Sequence, residues 1–278
     1  MLITNKNNLP ESIYNALKSD DYDYQSDRVS VTTLIDSPYI AKLRKEHWKE
    51  IEEDVSDRIW QLVGSAIHYM LEKADTENTL IEQRYTAEIN NKKVTGKVDY
   101  YNNDTKEIQD FKVTSVWTLI YKDRVIEWEK QLNCYAYLMQ SMGYKINSLK
   151  IIAILRDWVQ SKSKEDSYPD KQIQIIDIPL WSIEEQEKYI VERLKLFDTD
   201  YTCSPHDRWA MPDTWAIKKK TRKTAMKVCN TEKEAKEYLA SVGGDYIEFR
   251  QGKDRRCEMY CNVNKFCKYY KERLNENK

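Results

Sequence analysis

The sequence predicts an α/β fold with a small cysteine-rich α+β tail, on three observations. Three strand-like runs follow one another between residues 79 and 115, separated by turns built from Asn and Asp. Runs of helical period stand before and after them. Five of the six cysteines fall at or beyond residue 203, where the texture of the chain changes.

Residues 1–30 are polar, show no strong period and read as an N-terminal segment with a mobile start. A core is expected over 31–200 and a C-terminal module over 201–278. From Val31 the run SVTTLIDSPYIAKLRKEHWKEI is helical in texture, and a second helix is expected at about 57–74, where Ile59, Leu62, Val63, Ala66, Ile67, Met70 and Leu71 form a broad apolar face. The strands TLIEQRYTAEI, KKVTGKVDYY and KEIQDFKVTS follow, joined by INNK and NNDT. The amphipathic run RVIEWEKQLNCYAYLMQSMG then predicts a helix closing at Gly143. The strands SLKIIAILRDW and QIQIIDIPLW and the helix SIEEQEKYIVERLKLF complete the core.

Composition bounds the function. The 278 residues are 41% hydrophobic and 33% charged, with 6 Gly and 6 Pro, as in an ordered globular protein. With 45 basic and 46 acidic residues the net charge is -1, so any nucleic-acid surface must be local. No apolar run approaches the roughly 20 residues of a membrane helix. The first residues lack the pattern of a signal peptide, so a cytoplasmic location is expected, and there cysteines read as metal ligands or thiols before disulfides.

The hairpin around NNDT concentrates charge. If Tyr101 pairs with Lys106, Asp99 sits opposite Ile108 and Asp110 becomes its diagonal neighbour, about 7–8 Å away, within reach of a shared ion. Lys112 shares the face of Asp110, while Val98, Tyr100, Phe111 and Val113 form an apolar face suited to a core. Taken alone, these charges read as a solvated strand face, His68 as an exposed helix histidine, Gln131 as surface and Tyr135 as an aromatic at the core edge.

Taken in order, the motifs Gly64-x-x-x-His68, GKVD (Gly96 to Asp99), QDFK (Gln109 to Lys112) and Gln131-x-x-x-Tyr135 form a pattern. Together they resemble the RecB-like branch of the PD-(D/E)xK nuclease superfamily, which includes phage exonucleases and CRISPR-adaptation nucleases. The resemblance covers about residues 58–158, with Asp110 where many relatives have Glu. It implies a restriction-endonuclease-like core, a central mixed sheet flanked by helices. It also implies an Mg²⁺- or Mn²⁺-dependent deoxyribonuclease, with an exonuclease of phage or mobile-element DNA recombination as the expected setting. DNA, as ends or single strands, is the implied partner, alongside recombination proteins, and the host cytoplasm is the location if the chain is phage-encoded. His68, Asp99, Asp110 and the Phe111 carbonyl would ligate the metal. Lys112 would orient or deprotonate the attacking water, and Gln131 and Tyr135 would position phosphate or water. Glu82 is a weaker candidate for a supporting acid.

The tail carries C-x₃-C-x₅-C at Cys257, Cys261 and Cys267, a spacing that implies bound metal. Cys203 is the expected fourth ligand, with His206 and Cys229 as substitutes and Cys134 as packing. Four thiolates suit [4Fe–4S] or Zn²⁺ equally, and the resemblance favours the cluster. Relatives place the upstream cysteine before the catalytic helix, where this chain has Ser37. Lys218, Lys219, Lys220, Arg222 and Lys223 form a basic strip that reads as a solvated face or as a contact for DNA phosphates. Trp209, Trp215 and Tyr260 are candidates for base stacking or for packing. Two other readings are an inactive nuclease-fold module for DNA binding or assembly, and a zinc-stapled interaction protein.

Overall fold

The turn chemistry of three successive strands lays down the sheet on which the rest packs. The computed structural model describes residues 1–18, 27–73, 77–122 and 124–276, so 19–26 of the N-terminal segment and residue 74 of the second expected helix lie outside the described residues. Two compact units emerge, one from 1–41 with 52–201 and one from 42–51 with 202–278.

The first unit opens with β1 (Leu2–Thr4), α1 (Glu11–Leu17), β2 (Arg28–Ser30) and α2 (Val31–Ile35). Residues 1–30 thus include regular elements, and β2 joins the main sheet. The first helical run is broken at Asp36–Ser37. Pro38, which fits the first turn of a helix but not its interior, starts α3 (Pro38–Glu46), whose residues from Lys42 group with the second unit. After β3 (Glu52–Asp54) come α4 (Ile59–Glu72), β4 (Thr79–Ile89), β5 (Lys92–Asn102) and β6 (Glu107–Thr114). Then follow α5 (Val116–Tyr121), α6 (Val125–Gln140), β7 (Ser148–Leu155), β8 (Ile173–Ile178) and α7 (Ile183–Leu196). Helix α5 was not expected: it is too short to show a period, and Asp157 holds its start by accepting from Ser115 Oγ (2.6 Å) and the Val116 amide (2.8 Å).

Asn90 and Asn91, at φ 51° and 59°, make the left-handed pair that a two-residue hairpin between β4 and β5 requires. The second hairpin departs from expectation. Tyr101 faces Ile108 rather than Lys106. Asn102 Oδ1 accepts from the amides of Asp104 and Thr105 at 2.8 and 3.0 Å, and Lys106 turns at φ 60°, drawing residue 106 into the loop. Extending this register by one pair sets Asp99 across from Asp110, not from Ile108.

The sheet is mixed, in the order β2-β5-β6-β7-β8 with β4 also beside β5. β6 and β7 run parallel, and β8 returns antiparallel. β4 pairs along β5 from end to end, so β2 and β6 share the other edge: β2 takes 93–95 and β6 takes 100–102. Residues 96–99, the GKVD segment, fall between them. Over this gap lies α6, with Leu132, Leu138 and Met139 buried beside Val98, Ile151 and Leu155. Of the expected apolar face Val98 is buried in the core, but on β6 the inner face is the opposite one. Ile108, Asp110 and Thr114 are buried under α6, whereas Phe111 and Val113 are half-buried, because α4 covers their side only in part.

The second unit holds β9 (Thr214–Lys218), β10 (Lys227–Cys229), α8 (Glu232–Val242), β11 (Tyr246–Arg250), α9 (Arg255–Met259) and α10 (Lys268–Glu276). Its antiparallel sheet, β10-β9-β11, packs Ile217 and Cys229 against Ala235 of α8. Buried Asp254 ties Arg208, Tyr269 and Arg273 together at 2.7–3.2 Å. Among the described residues, no helix is long and apolar enough to cross a membrane.

Two glycines of the motifs behave oppositely. A Cβ at Gly96 would sit 2.6 Å from the Tyr135 ring, whereas one at Gly64 would meet nothing within 4 Å. Gly96→Ala should lower stability by about 1–3 kcal/mol through overpacking, and Gly64→Ala should raise it by about 0.5–1 kcal/mol through helix propensity. Urea unfolding measures both, and equal shifts would contradict the packing described.

Candidate functional site

Three strands and two helices bring one group of side chains together at the gap in β5. The register aligns Glu82 of β4, Asp99 of β5 and Asp110 of β6 in a row across the sheet. Glu82 takes φ 53°, a break in the extended backbone of β4 at this level. His68 comes from α4: its Nδ1 lies 2.9 Å from Glu82 Oε1 and 3.7 Å from Asp99 Oδ1. Among the described residues, His68, Glu82 and Asp99 are the one group of three or more His, Cys, Asp or Glu whose ligand atoms all lie within 4.8 Å of one another. Glu82, expected only as a supporting acid, therefore stands at the centre. Its signal in the sequence was weak because nothing in a strand pattern reports a reversed φ.

Asp99 Oδ2 accepts the Phe111 amide at 3.0 Å. A side chain thus serves a β6 amide at the level where β5 and β6 cease to pair. Asp110 is buried, and Lys112 Nζ approaches its Oδ2 to 2.6 Å. That approach satisfies the distance of an ion pair but not the angles of a hydrogen bond, so Oδ2 has a charge partner and no hydrogen-bond donor. Phe111 stands between Asp110 and Lys112 in sequence and meets His68 edge-on, with ring centroids 6.4 Å apart. On α6, Gln131 Nε2 donates to Tyr135 Oη at 2.8 Å, and both side chains are buried, contrary to the surface and core-edge positions expected of them singly.

Electrostatics follow from this crowding. Burial, and then the neighbouring Asp110 carboxylate, pushes Asp99 up to about 7. The hydrogen bond with Glu82 raises His68 against the opposing effect of burial. Burial also opposes ionisation of Glu82, yet His68 and Lys97 hold its carboxyl below the usual range. Burial beside Asp110 holds the Tyr135 phenol far above its ordinary value, so it stays a neutral donor. Three carboxylates thus face Lys97, Lys112 and an imidazole. Carboxylate oxygens with one imidazole are a donor set suited to Mg²⁺ or Mn²⁺, and the Asp110 oxygen without a hydrogen-bond donor is a further available ligand atom.

In the second unit, burial pushes the Cys257 thiol up to about 12, reinforced by Asp254, Cys261, Cys203 and Cys267. These four cysteines are therefore neighbours, although their sulfurs are spaced more widely than the His68 group. Cys229 instead packs with Ile217 and Ala235, His206 lends its carbonyl to the Trp209 amide, and Cys134 is buried in α6. Ser37 is buried and carries no sulfur. Lys218 pairs with Glu248 at 3.2 Å, while Lys219, Lys220, Arg222 and Lys223 are exposed in the connection from β9 to β10. Trp209 packs on Tyr260 and Trp215 on Phe249, each pair at 5.4 Å between centroids.

No family model matches the chain, and no curated protein matches it. Among solved structures it is similar to the crystal structure of SSO0001, with a TM-score of 0.50 and 17% identity over 71% of this chain and 87% of that one. It is also similar to a phage related exonuclease from Haemophilus somnus 129PT, with a TM-score of 0.32 and 13% identity over 67% of this chain and 79% of that one. The first likeness is one of fold.

Crowded carboxylates oppose folding whenever they are charged. A carboxyl whose folded pKa lies above its unfolded value stabilises only while protonated, so Asp99 withdraws stability as pH rises from about 4 toward about 7. In chelator at mildly alkaline pH, Asp99→Asn should therefore be more stable than wild type by about 1 kcal/mol. Saturating Mn²⁺ should raise the wild-type melting temperature by about 5 °C and leave the variant unmoved. Thermal and urea melts with and without Mn²⁺ measure this, and a wild type indifferent to Mn²⁺ would contradict the donor set.

Proposed function

We propose that the protein is a metal-dependent DNA nuclease that hydrolyses phosphodiester bonds, an exonuclease in the processing of phage or mobile-element DNA. One observation carries the reading: three acids from three adjacent strands converge with His68 and Lys112 at a break in the sheet. Four ordered motifs that resemble RecB-like nucleases support it.

In this reading His68, Glu82, Asp99, Asp110 and the Phe111 carbonyl would hold Mg²⁺ or Mn²⁺. Such an ion, when bound, lowers the pKa of coordinated water and offsets charge growing on the phosphate oxygens. Lys112, 2.6 Å from the Asp110 carboxylate, would orient the attacking water or help deprotonate it. The water oxygen bonds to phosphorus, the bond to the departing sugar oxygen breaks, and a proton given up by the water ends on that oxygen. Gln131 fixes Tyr135, and the neutral phenol donates toward the phosphate. The basic strip from Lys218 to Lys223 would meet backbone phosphates.

Cys203, Cys257, Cys261 and Cys267 would hold a [4Fe–4S] cluster, with Zn²⁺ as the alternative, as a clip within the second unit. Protein prepared without oxygen should carry visible absorbance with iron, or stoichiometric zinc, and Cys257→Ser should lose it. Metal-free protein with all thiols titratable would reject this part.

The nuclease reading is tested by incubating the protein with end-labelled single- and double-stranded DNA in Mg²⁺, Mn²⁺ or chelator. Wild type should cut only with metal, and Asp110→Ala and Lys112→Ala should be at least about 100-fold slower. Cutting at the wild-type rate by folded Asp110→Ala would remove the proposal. Metal-independent DNA binding without turnover would favour the inactive module instead.

A further inference from the structure

The first unit leaves several large aromatic side chains in solvent, and three of them lie on segments that reach the carboxyl ends of β6 and β7. Trp60 and Trp117 are each 53% exposed and Tyr121 is 70% exposed. The rings of Trp117 and Tyr121 stack at 5.8 Å and 19°, and the Arg156 guanidinium sits 4.2 Å from the centre of the Trp60 ring.

Their location follows from the topology. β6 and β7 are parallel and end together at Thr114 and Leu155. Arg156 then donates its amide to the Thr114 carbonyl at 2.9 Å, and α5, which carries Trp117 and Tyr121, starts at Val116. Lys112 is two residues before that strand end. Helix α4 runs back along β6: His68 meets Phe111, and Trp60 meets Arg156 at the level of Thr114. The two paths agree in length. Eight helical residues from Trp60 to His68 span about 12 Å, and three strand residues from Phe111 to Thr114 span about 10 Å. The aromatic group therefore borders the acid–lysine site at the carboxyl ends of parallel strands, where open α/β sheets bind ligands.

We propose that Trp60, Trp117, Tyr121 and Arg156 form a shelf that stacks the bases of single-stranded DNA as it enters the site. This rests on the nuclease reading and deepens it by naming the strand state of the substrate. Aromatic faces open to solvent match bases whose own faces are uncovered, and in a duplex those faces are taken by neighbouring bases. The charge matches as well: Arg156 lies over the Trp60 ring, and Lys122, next after Tyr121, is an exposed cation on the same segment. At about 3.4 Å per stacked nucleotide, the span from Trp60 to His68 holds three to four nucleotides. Trp209 and Trp215, considered from sequence as stacking groups, are half-buried against Tyr260 and Phe249 in the second unit.

The test measures binding in chelator, so that turnover plays no part, by anisotropy of labelled single-stranded and blunt duplex DNA. Trp60→Ala, Trp117→Ala and Tyr121→Ala should each weaken single-strand binding about tenfold, with duplex binding changed less than about twofold. Trp117→Phe should restore most of the loss, and Ile175→Ala, removing an equally exposed apolar group on β8, should change nothing. The substituted side chains are exposed, so melting temperatures should match wild type. Wild-type single-strand affinity in all three alanine variants overturns the shelf, as does equal loss on both substrates. So does a drop in oligomeric mass without loss of affinity, which would make the rings a contact between copies. Selective loss in a protein that never cuts DNA would leave the shelf standing and remove the nuclease. Metal-dependent cutting with shelf variants fully competent would do the reverse.

Discussion

The structure turns on a cluster of like charges that folding alone does not favour. Glu82, Asp99 and Asp110 arrive from neighbouring strands at one level of the sheet, and burial makes their mutual repulsion costly. Lys97, Lys112 and His68 offset it in part. The Asp110 oxygen that has a charge partner but no hydrogen-bond donor marks where the compensation stops. The proposed dication would answer this electrostatic problem with one particle.

The gap in β5 makes the cluster possible. A continuous ladder would occupy the β6 amides with β5 carbonyls, leaving no free Phe111 amide for the Asp99 carboxylate to accept. Because β2 and β6 divide the edge of β5, residues 96–99 are left between them, and Asp99 serves the Phe111 amide with its side chain. Gly96 opens the same segment to α6, where a Cβ would strike Tyr135. The glycine and the aspartate of GKVD thus have separate physical reasons, one steric and one electrostatic, at the two ends of a four-residue break.

Much of this was legible in the residues. The strands expected at 79–89 and 92–101 and the helices expected over 124–143 and 182–197 follow from period and turn chemistry and match β4, β5, α6 and α7 to within a few residues, and the four motifs contain His68, Asp99 and Asp110 but not Glu82. What escaped was governed by local or tertiary geometry. The register of the second hairpin slipped because Asn102 captures two amides, which a count of turn residues does not reveal. Helix α5 is held by Asp157, a residue 41 positions from Val116. Glu82 enters the site through a backbone reversal. Gln131 and Tyr135 look like surface and core-edge positions until α6 is laid over the gap. The nearness of Cys203 to the C-terminal cysteines was an expectation from ligand count, and in the fold it depends on the Asp254 network, which holds Arg208, five residues beyond Cys203, in place.

Anomalous diffraction from crystals soaked in Mn²⁺ tests the central claim most directly. A peak is expected within coordination distance, about 2.0–2.3 Å, of oxygens from both Asp99 and Asp110, with the His68 imidazole turned toward it. A map without that peak, in which the carboxylates of β5 and β6 diverge into solvent, would contradict it.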